Sequence, residues 1–201
     1  MTSDSRGAMG EAQAADVDRL ARRQVAGGIA AWADARRADG EFPSGPLPRD
    51  VRGGAEVELR EVSGETVRAI CALLVTPEQR RFVAPNAVSF AEAHYEPKAW
   101  FRAIYADGQP VGFAMLSIDT DKPEYFLWRF MIDGGLQGRG YGRAALGLIV
   151  EHVRTLPNAR ELFVSWVPGG GGPEPFYLGL GFVPTGEVDD GEVVARLELA
   201  P

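Results

Sequence analysis

The sequence predicts an α/β (α+β) fold, and three observations lead to this prediction. From Glu56 onwards, segments with the two-residue period of strands alternate with segments of helical period. Two pairs of strand-like segments are joined by tight turns, as in antiparallel hairpins. A buried strand also runs through a glycine-rich turn straight into a helix. Together these features predict a sheet with flanking helices.

The length and composition restrict the class of protein. The chain has 201 residues, of which 45% are hydrophobic and 24% are charged, so we expect about one domain with an appendage. No run approaches the roughly 18 to 20 apolar residues that span a bilayer, and the N-terminus lacks the features of a signal peptide. We therefore predict a cytoplasmic protein with no membrane partner.

Charge and potential metal ligands narrow the partners further. The net charge of −7 argues against a nucleic-acid partner, because binding to phosphate backbones depends on Lys and Arg. Cys71 is the single cysteine, and His94 and His152 are the two histidines. We expect no disulfide and no metal site. A small-molecule or cationic partner fits this composition best.

The first quarter of the chain differs in composition from the rest. We predict an N-terminal helical extension over residues 1–39, since 15–38 carries an amphipathic stripe, although Gly27 and Gly28 oppose a helix. Residues 40–55 are rich in Pro, Gly and charge, which is typical of a linker. The main folded domain is predicted over residues 56–201.

The domain begins with a strand and two helices. Alternating side chains predict a strand from Glu56 to Val62, and helical spacing predicts a helix from Glu65 to Val75. Ser89 is followed three residues later by Glu92, which is the spacing of a capping box. We therefore expect the second helix to begin at Ser89.

Three strands follow. Asp107-Gly108 predicts a tight turn between strands at Phe101–Tyr105 and Pro110–Ile118. Tyr125–Asp133 is apolar on both faces apart from Arg129, as in a central strand covered on both sides.

The last part of the domain alternates again. Residues 141–155 have an apolar stripe and end before Pro157, which predicts a helix whose His152 lies on the solvated face. A strand, a short helix and a hairpin are predicted after it, at Leu162–Val167, at Phe176–Leu180, and at Phe182–Val188 with Glu192–Leu199.

The glycine-rich turn between the central strand and this helix predicts an anion site. Backbone N–H groups at a helix N-terminus have no intrahelical partner, and the helix dipole adds positive charge there. Glycines let phosphate oxygens approach the amides, and Arg139 and Arg143 add charge nearby. The alternative is a purely structural turn.

Spacing excludes two familiar phosphate loops. A Walker A loop needs Lys and Ser or Thr after Gly140, and a dinucleotide-binding fingerprint needs a glycine at Arg143. The remaining pattern, Gln137-x-x-Gly140-x-Gly142, resembles the pyrophosphate loop of the GNAT superfamily of acyl-CoA-dependent N-acetyltransferases. One strand later, the run from Tyr177 to Phe182 (YLGLGF) resembles the second motif of that superfamily.

Residues 56–199 resemble in particular the branch that includes bacterial diamine and spermidine acetyltransferases. The resemblance implies the GNAT fold: a central mixed, mostly antiparallel sheet with flanking helices and a V-shaped cofactor cleft. It implies acetyl-CoA as co-substrate. Residues 1–50 have no counterpart in it, and we expect them to be accessory, with the predicted helix a candidate homodimer contact.

The resemblance also implies roles for individual residues. The backbone at Met131 and Ile132 would pair with the pantetheine arm of the cofactor. Tyr177 would donate a proton to the departing thiolate, the alternative being a core tyrosine. Where many relatives carry a cofactor-binding Asn before this tyrosine, the chain has a run of glycines. The residues implied at the pyrophosphate are Gln137, Gly138, Arg139, Gly140, Tyr141, Gly142 and Arg143.

The acceptor side is less well defined by sequence. Glu92 is a candidate base acting through water, unless it serves only as a helix cap. His94 is an alternative base because imidazole titrates near neutrality. Trp128 is a candidate for holding an ammonium group by cation–π contact, with core packing as the alternative.

We therefore expect an acetyl-CoA-dependent N-acetyltransferase that acts on a primary amine of a small, cationic, polyamine-like acceptor. One alternative is acetylation of a protein or antibiotic amine. Another is a non-catalytic acyl-CoA-binding module.

Overall fold

The computed structural model describes residues 55–199 and contains a seven-stranded sheet in the order β1-β2-β3-β4-β5-β7-β6. The α+β class is therefore confirmed. The predicted extension (1–39) and all of the predicted linker except its last residue lie outside the described residues. The strands are β1 Val57–Arg60, β2 Ala99–Ala106, β3 Gln109–Asp119, β4 Glu124–Ile132, β5 Glu161–Trp166, β6 Val183–Asp189 and β7 Glu192–Glu198. The α-helices are α1 Val67–Ala72, α2 Asn86–Tyr95, α3 Tyr141–Arg154 and α4 Glu174–Leu178.

One parallel pair lies among the antiparallel neighbours of the sheet, and it opens a cleft. β4 and β5 run parallel but pair only at Phe126 with Phe163 and at Leu127 with Val164. Just beyond this point β4 has a bulge, with Trp128 as its extra residue opposite the Met115–Leu116 step of β3. A bulge bends its strand. The two strands therefore separate towards their carboxyl ends, which produces the V-shaped opening.

The sheet has an apolar core on each face. On one face, α3 packs Leu146, Ile149 and Val150 against the strands, and all three are almost completely buried. The spacing of these residues gives α3 the apolar stripe that the sequence predicted. On the other face, Ile70 of α1 packs with Phe113 of β3. No helix between residues 55 and 199 is both long and apolar enough to cross a membrane.

The predicted hairpins are confirmed, and both use turns with positive φ. Asp107 and Gly108 have φ of 49° and 75° between β2 and β3. Asp190 and Gly191 have φ of 45° and 83° between β6 and β7. These are the conformations for which Asp-Gly is favoured.

The predicted start of α2 at Ser89 is wrong. The helix begins at Asn86, and its N-cap residue is Pro85, whose carbonyl accepts the N–H groups of Val88 and Ser89. Proline has a φ suited to this boundary and stands here just before the first helical residue. Ser89 is fully buried inside the helix, and Glu92 bonds a side chain of β4 instead of capping.

His152 does not lie on a solvated face as predicted. It is half-buried near the end of α3, and its ring stacks on Trp100 of β2 with centroids 4.2 Å apart. The Nε2 atom of His152 is buried and has no hydrogen-bond partner among the described residues. Arg102 also lies over the ring of Trp100, at 4.5 Å. The contact joins two distant segments of the chain, so helical spacing alone did not indicate it.

Candidate active site

The V-shaped opening between β4 and β5 continues into a cleft of about 1540 Å³. Its lining comes from the segment between α1 and α2, the glycine-rich turn, the loop after β5, α4 and the β6–β7 turn. Two motifs that lie far apart in the sequence therefore meet in one cavity, since Gly140 and Tyr177 both line it.

The edge of β4 supplies backbone groups to this cleft. The N–H of Asp133 donates to the carbonyl of Val111 on β3, at 2.9 Å. Because hydrogen-bonded and non-bonded pairs alternate in an antiparallel ladder, Ile132 and Phe130 direct their backbone groups away from β3 and towards the cleft. Met131 directs its backbone groups at β3. The predicted placement of the Met131 backbone in the cleft is therefore wrong, and the backbone of Phe130, which sequence reasoning missed, lies on that side instead. Successive residues of a strand direct their backbone groups to opposite sides, so neighbours such as Met131 and Ile132 do not both face the cleft.

The glycine-rich turn has the backbone conformation of an anion site. Gly140 is the N-cap residue of α3 with φ of 87°, and Gly138 has φ of 76°. A Cβ atom at Gly138 would meet no atom within 4 Å, so the space above it is open. The first N–H groups of α3 have no intrahelical partner. They face a position that an anionic group fits without a side chain in the way.

Side-chain hydrogen bonds hold this turn in place. The Nε2 atom of Gln137 donates to the carbonyl oxygen of Ile132 at 2.9 Å and to Oε1 of Gln79 at 2.8 Å, and Gln79 returns a bond of 3.1 Å. The carboxylate of Asp133 accepts from the N–H groups of Gly135 and Leu74, both at 3.0 Å. Gln137 thus positions the turn. Sequence reasoning missed Gln79 and Asp133, because Gln79 is 58 residues away in the chain.

The remaining residues of the turn have separate roles. Nη2 of Arg143 donates to the carbonyl of Gly179 at 3.5 Å, whereas Nη1 is buried without a hydrogen-bond partner among the described residues, and Arg143 lines the cleft. A cationic side chain beside a helix N-terminus fits a phosphate group. Arg139 instead extends along the exposed surface, towards the carbonyl of Gly135 at 3.4 Å. A Cβ atom at Gly142 would lie 3.3 Å from the ring of Phe176, so this glycine permits close packing. Tyr141 is half-buried and also lines the cleft.

Tyr177 lies on α4 in a group of aromatic rings. It is 5% exposed, stacks on Trp166 with centroids 5.6 Å apart and contacts Phe182 edge-on. Burial, with a smaller contribution from Glu192, raises the pKa of the Tyr177 phenol. The phenol is therefore protonated at neutral pH, as a proton donor must be, and the raised pKa makes it a weaker acid than an exposed tyrosine. Tyr177 thus packs in the core and also lines the cleft.

The structure brings two of the three acceptor-side candidates into the cleft. Trp128 lines it, and so does Glu92, whose carboxylate accepts from Nη2 of Arg129 at 3.0 and 3.2 Å. The bulge turns both Trp128 and Arg129 towards α2, and the guanidinium lies 5.2 Å from the Trp128 ring. His94 is exposed, contacts Tyr95 and does not line the cleft.

Further acidic residues line the cleft as well. Glu96, which the sequence placed on the acceptor side, directly follows α2, whereas Asp190 of the β6–β7 turn and Glu192 at the start of β7 were not predicted. The carboxylate of Glu192 accepts a hydrogen bond from the hydroxyl of Ser165 on β5. These residues come from two distant parts of the sequence and line the cleft from two sides. Local sequence patterns could therefore not predict that they share one cavity. Within residues 55–199, no cluster of three or more His, Cys, Asp or Glu side chains could hold a metal ion.

Known proteins share both the sequence pattern and the fold. A spermine/spermidine N(1)-acetyltransferase from Bacillus subtilis (strain 168) is 28% identical over 154 residues, which cover 71% of this chain and 99% of that protein. The PaiA N-acetyltransferase from Thermoplasma acidophilum, solved in complex with coenzyme A, is 14% identical, with a TM-score of 0.52 over 71% of this chain and 99% of the other. A domain from Methanocaldococcus jannaschii is 13% identical, with a TM-score of 0.60 over 72% of this chain and 99% of the other.

A family model adds the decisive match. The model of the acetyltransferase (GNAT) family matches residues 72–182, which is more than half of the chain. This range contains β4, the glycine-rich turn and α4, and therefore every part of the cleft described above except the β6–β7 turn. The chain belongs to the acetyltransferase (GNAT) family and is an N-acetyltransferase.

Proposed function

We propose that this enzyme transfers the acetyl group of acetyl-CoA to a primary amine of a small, polycationic, spermidine-like acceptor. The observation that carries the proposal is the division of charge along the cleft. Arg143 and helix N–H groups border the glycine-rich turn, and Arg80 and Arg81 line the cleft on the segment that is bonded to this turn through Gln79. Glu96, Asp190 and Glu192 line the side formed by the end of α2 and the β6–β7 hairpin. An anionic donor and a cationic acceptor fit the two parts. The relative from Bacillus subtilis, named for spermine and spermidine, supports the same acceptor class.

The donor half of the cleft would hold the cofactor through its own backbone. The N–H groups at the start of α3 and the guanidinium of Arg143 suit the pyrophosphate. The outward-facing backbone of Phe130 and Ile132 suits the amides of the pantetheine arm, and an N–H from this edge would polarise the thioester carbonyl. Acetyl-CoA, when bound, supplies the activated acetyl group. The main contribution of the protein is then to align it with the amine.

The transfer itself requires one bond to form and one to break. The neutral amine nitrogen attacks the acetyl carbonyl carbon, a C–N bond forms and the C–S bond breaks. The leaving thiolate takes a proton from the Tyr177 phenol, which is restored by the proton that the amine loses on acylation. An acceptor that arrives as an ammonium ion first gives up one further proton to solvent. Glu92 is the candidate to pass this proton on through water, because it lines the cleft.

Replacing the proton donor tests this assignment of Tyr177. We expect Tyr177→Phe to bind acetyl-CoA as the wild type does, because the ring and its packing remain. We expect kcat to fall by about 10²-fold, at the lower end of what a positioned acid contributes. Isothermal titration and steady-state kinetics would measure the two effects. An unchanged kcat with an amine whose chemical step is rate-limiting would mean that Tyr177 only packs in the core.

The acceptor class requires a separate experiment. Turnover would be measured with spermidine, short diamines, peptides with free N-termini and aminoglycosides, at low and high salt. We expect the polyamines to have the highest kcat/KM and to lose part of it in high salt, because exposed charges are screened over about 8 Å at physiological ionic strength. A salt-insensitive preference for peptides would contradict the polyamine proposal. Acetyl-CoA binding without turnover of any amine would favour a binding module.

A further inference from the structure

Two segments meet across the cleft and form a contact that the catalytic scheme does not use. One is Arg81 with Phe82, between α1 and α2, and the other is Gly169–Gly172, after β5. Nη2 of Arg81 donates to the carbonyl of Gly170 at 2.8 Å, although the two residues are 89 positions apart. The guanidinium of Arg81 also lies over the ring of Phe82, at 4.6 Å. We call this contact the clasp.

Glycine is required at two positions of the clasp because the Phe82 ring lies directly against the backbone. A Cβ atom at Gly169 would be 3.1 Å from Cε1 of Phe82 and 3.2 Å from Cζ. A Cβ atom at Gly172 would be 3.3 Å from the same Cε1 atom and 2.9 Å from the carbonyl oxygen of Gly169. Gly169 and Gly172 therefore form a fitted surface for one aromatic ring. Gly169–Gly172 lie in the loop after β5, and they offer no side chain that could bind the cofactor.

The clasp bridges two sides of the cleft. Arg81, Phe82 and the four glycines all line the cleft, and Gly169 is three positions after the last residue of β5. The segment that carries Arg81 is tied to the glycine-rich turn after β4 by the bond between Gln79 and Gln137. The clasp therefore joins a segment held on the β4 side to the loop that follows β5. An amine that entered at this point would have to break the hydrogen bond and displace the ring.

Another part of the cleft is lined by different chemistry. Val88 and Glu92 of α2, with Glu96 directly after it, line one side, and Asp190 of the β6–β7 turn and Glu192 at the start of β7 line another. Trp128 is placed on β4 beside α2. Carboxylates with an aromatic face suit a chain of ammonium groups joined by methylenes.

We infer that the clasp makes the enzyme selective for slender, unbranched polyamines, because it leaves them a route into the cleft and excludes bulky amines. This inference rests on the proposed function, since it assumes that an amine is the acceptor. A linear polyamine can pass lengthwise between α2 and the β6–β7 turn. A multi-ring aminoglycoside or a peptide N-terminus needs a wider opening, which exists only when the clasp is released.

The test compares two aromatic-to-alanine variants. Phe82→Ala removes the ring from the clasp, and Tyr95→Ala, at a side chain of α2 that is 84% exposed and does not line the cleft, is the matched control. For each enzyme, kcat/KM would be measured with spermidine and with an aminoglycoside. We expect Phe82→Ala to raise the aminoglycoside-to-spermidine ratio of kcat/KM by about tenfold. This is at the low end of the discrimination that a binding pocket provides between similar substrates. Tyr95→Ala should leave the ratio unchanged.

A second measurement separates access from general damage to the fold. Opening the clasp should also admit water, so Phe82→Ala should release coenzyme A from acetyl-CoA faster in the absence of any amine. Arg81→Met keeps most of the side-chain length but removes the hydrogen bond to Gly170, and it should change both readouts in the same direction by less. This variant keeps the test valid if Phe82→Ala does not fold.

The outcomes distinguish the inference from the proposed function. If the wild type acetylates no linear amine, the proposed function is wrong and the inference falls with it. If the wild type acetylates spermidine but the ratio is the same in wild type and in folded clasp variants, the proposed function stands and the selectivity inference is wrong. A wild type that acetylates aminoglycosides as well as spermidine also overturns the inference.

Discussion

Two glycine-rich loops border the cleft, one after β4 and one after β5, and they use the same residue for opposite reasons. In the first, Gly138 and Gly140 have positive φ, and the space above Gly138 is empty. In the second, Gly169 and Gly172 have no room for a Cβ atom, because Phe82 and a backbone carbonyl fill the space. The first loop keeps a position open for a ligand, whereas the second closes a contact within the protein.

This difference shows that a run of glycines does not by itself indicate a binding site. The first loop leads directly into the 14-residue helix α3, whose N-terminal N–H groups can receive an anion. The second leads into α4, which has only five residues. Whether a glycine serves ligand binding or packing depends on the atoms around the position that its Cβ atom would occupy. Substitutions at individual glycines therefore test the comparison directly.

The largest effect is expected at the first loop. Gly140→Val introduces a β-branched side chain at φ of 87°, a conformation that such residues rarely adopt, beside the proposed phosphate position. We expect acetyl-CoA affinity to fall by about a hundredfold, or roughly 2.7 kcal/mol. Isothermal titration would measure the affinity, and circular dichroism would show that the variant is folded. Affinity within about twofold of the wild type would contradict the role of this loop.

An intermediate effect is expected at the second loop, and it concerns stability. Gly172→Ala places a Cβ atom against Phe82 and the carbonyl of Gly169, and we expect it to lower the free energy of unfolding by about 1–2 kcal/mol, as overpacking does. Gly170→Ala is the matched control, since its Cβ atom would meet nothing within 4 Å. Urea denaturation would measure both. Equal destabilisation by the two variants would show that Phe82 does not set the requirement.

The smallest effect is expected at a glycine outside both loops. Gly147 lies inside α3, and a Cβ atom there would meet nothing within 4 Å. Because glycine is a poor helix former, we expect Gly147→Ala to raise the free energy of unfolding by about 0.5–1 kcal/mol. Acetyl-CoA affinity should not change. A loss of affinity would mean that glycines along α3 also affect the cofactor site.

Local sequence patterns predicted the elements of the fold well. The stripe of α3 and the Asp-Gly turn between β2 and β3 depend on neighbours within a few positions, so they can be recognised in the sequence. The start of α2 was misplaced because Ser89 and Glu92 have the spacing of a cap, while Pro85 sets the actual boundary. The pairing of Glu92 with Arg129 joins residues 37 positions apart, which no local pattern reveals.

The donor side and the acceptor side of the candidate site also differ in how well local sequence predicts them. The glycine-rich turn is a continuous segment, and its conformation at Gly138 and Gly140 agrees with the sequence prediction. The backbone that faces the cleft was assigned to Met131 and Ile132, whereas the pairing with β3 leaves Phe130 and Ile132 on that side, because successive residues of a strand direct their backbone groups to opposite sides. The clasp and the acidic residues of the β6–β7 turn depend on contacts between distant segments. Sequence reasoning therefore identified the donor side better than the acceptor side.

The stack of His152 on Trp100 makes the fold sensitive to acid. Burial, and to a lesser extent the charge of Arg102, lowers the pKa of His152 below its ordinary value of 6.5. Above pH 6.5 the imidazole is neutral in both the folded and the unfolded chain. Below that value the unfolded chain binds the proton first, so the free energy of unfolding falls as the pH drops towards the folded pKa. Acidification from pH 6.5 down to the folded pKa thus destabilises the fold at the contact between α3 and β2.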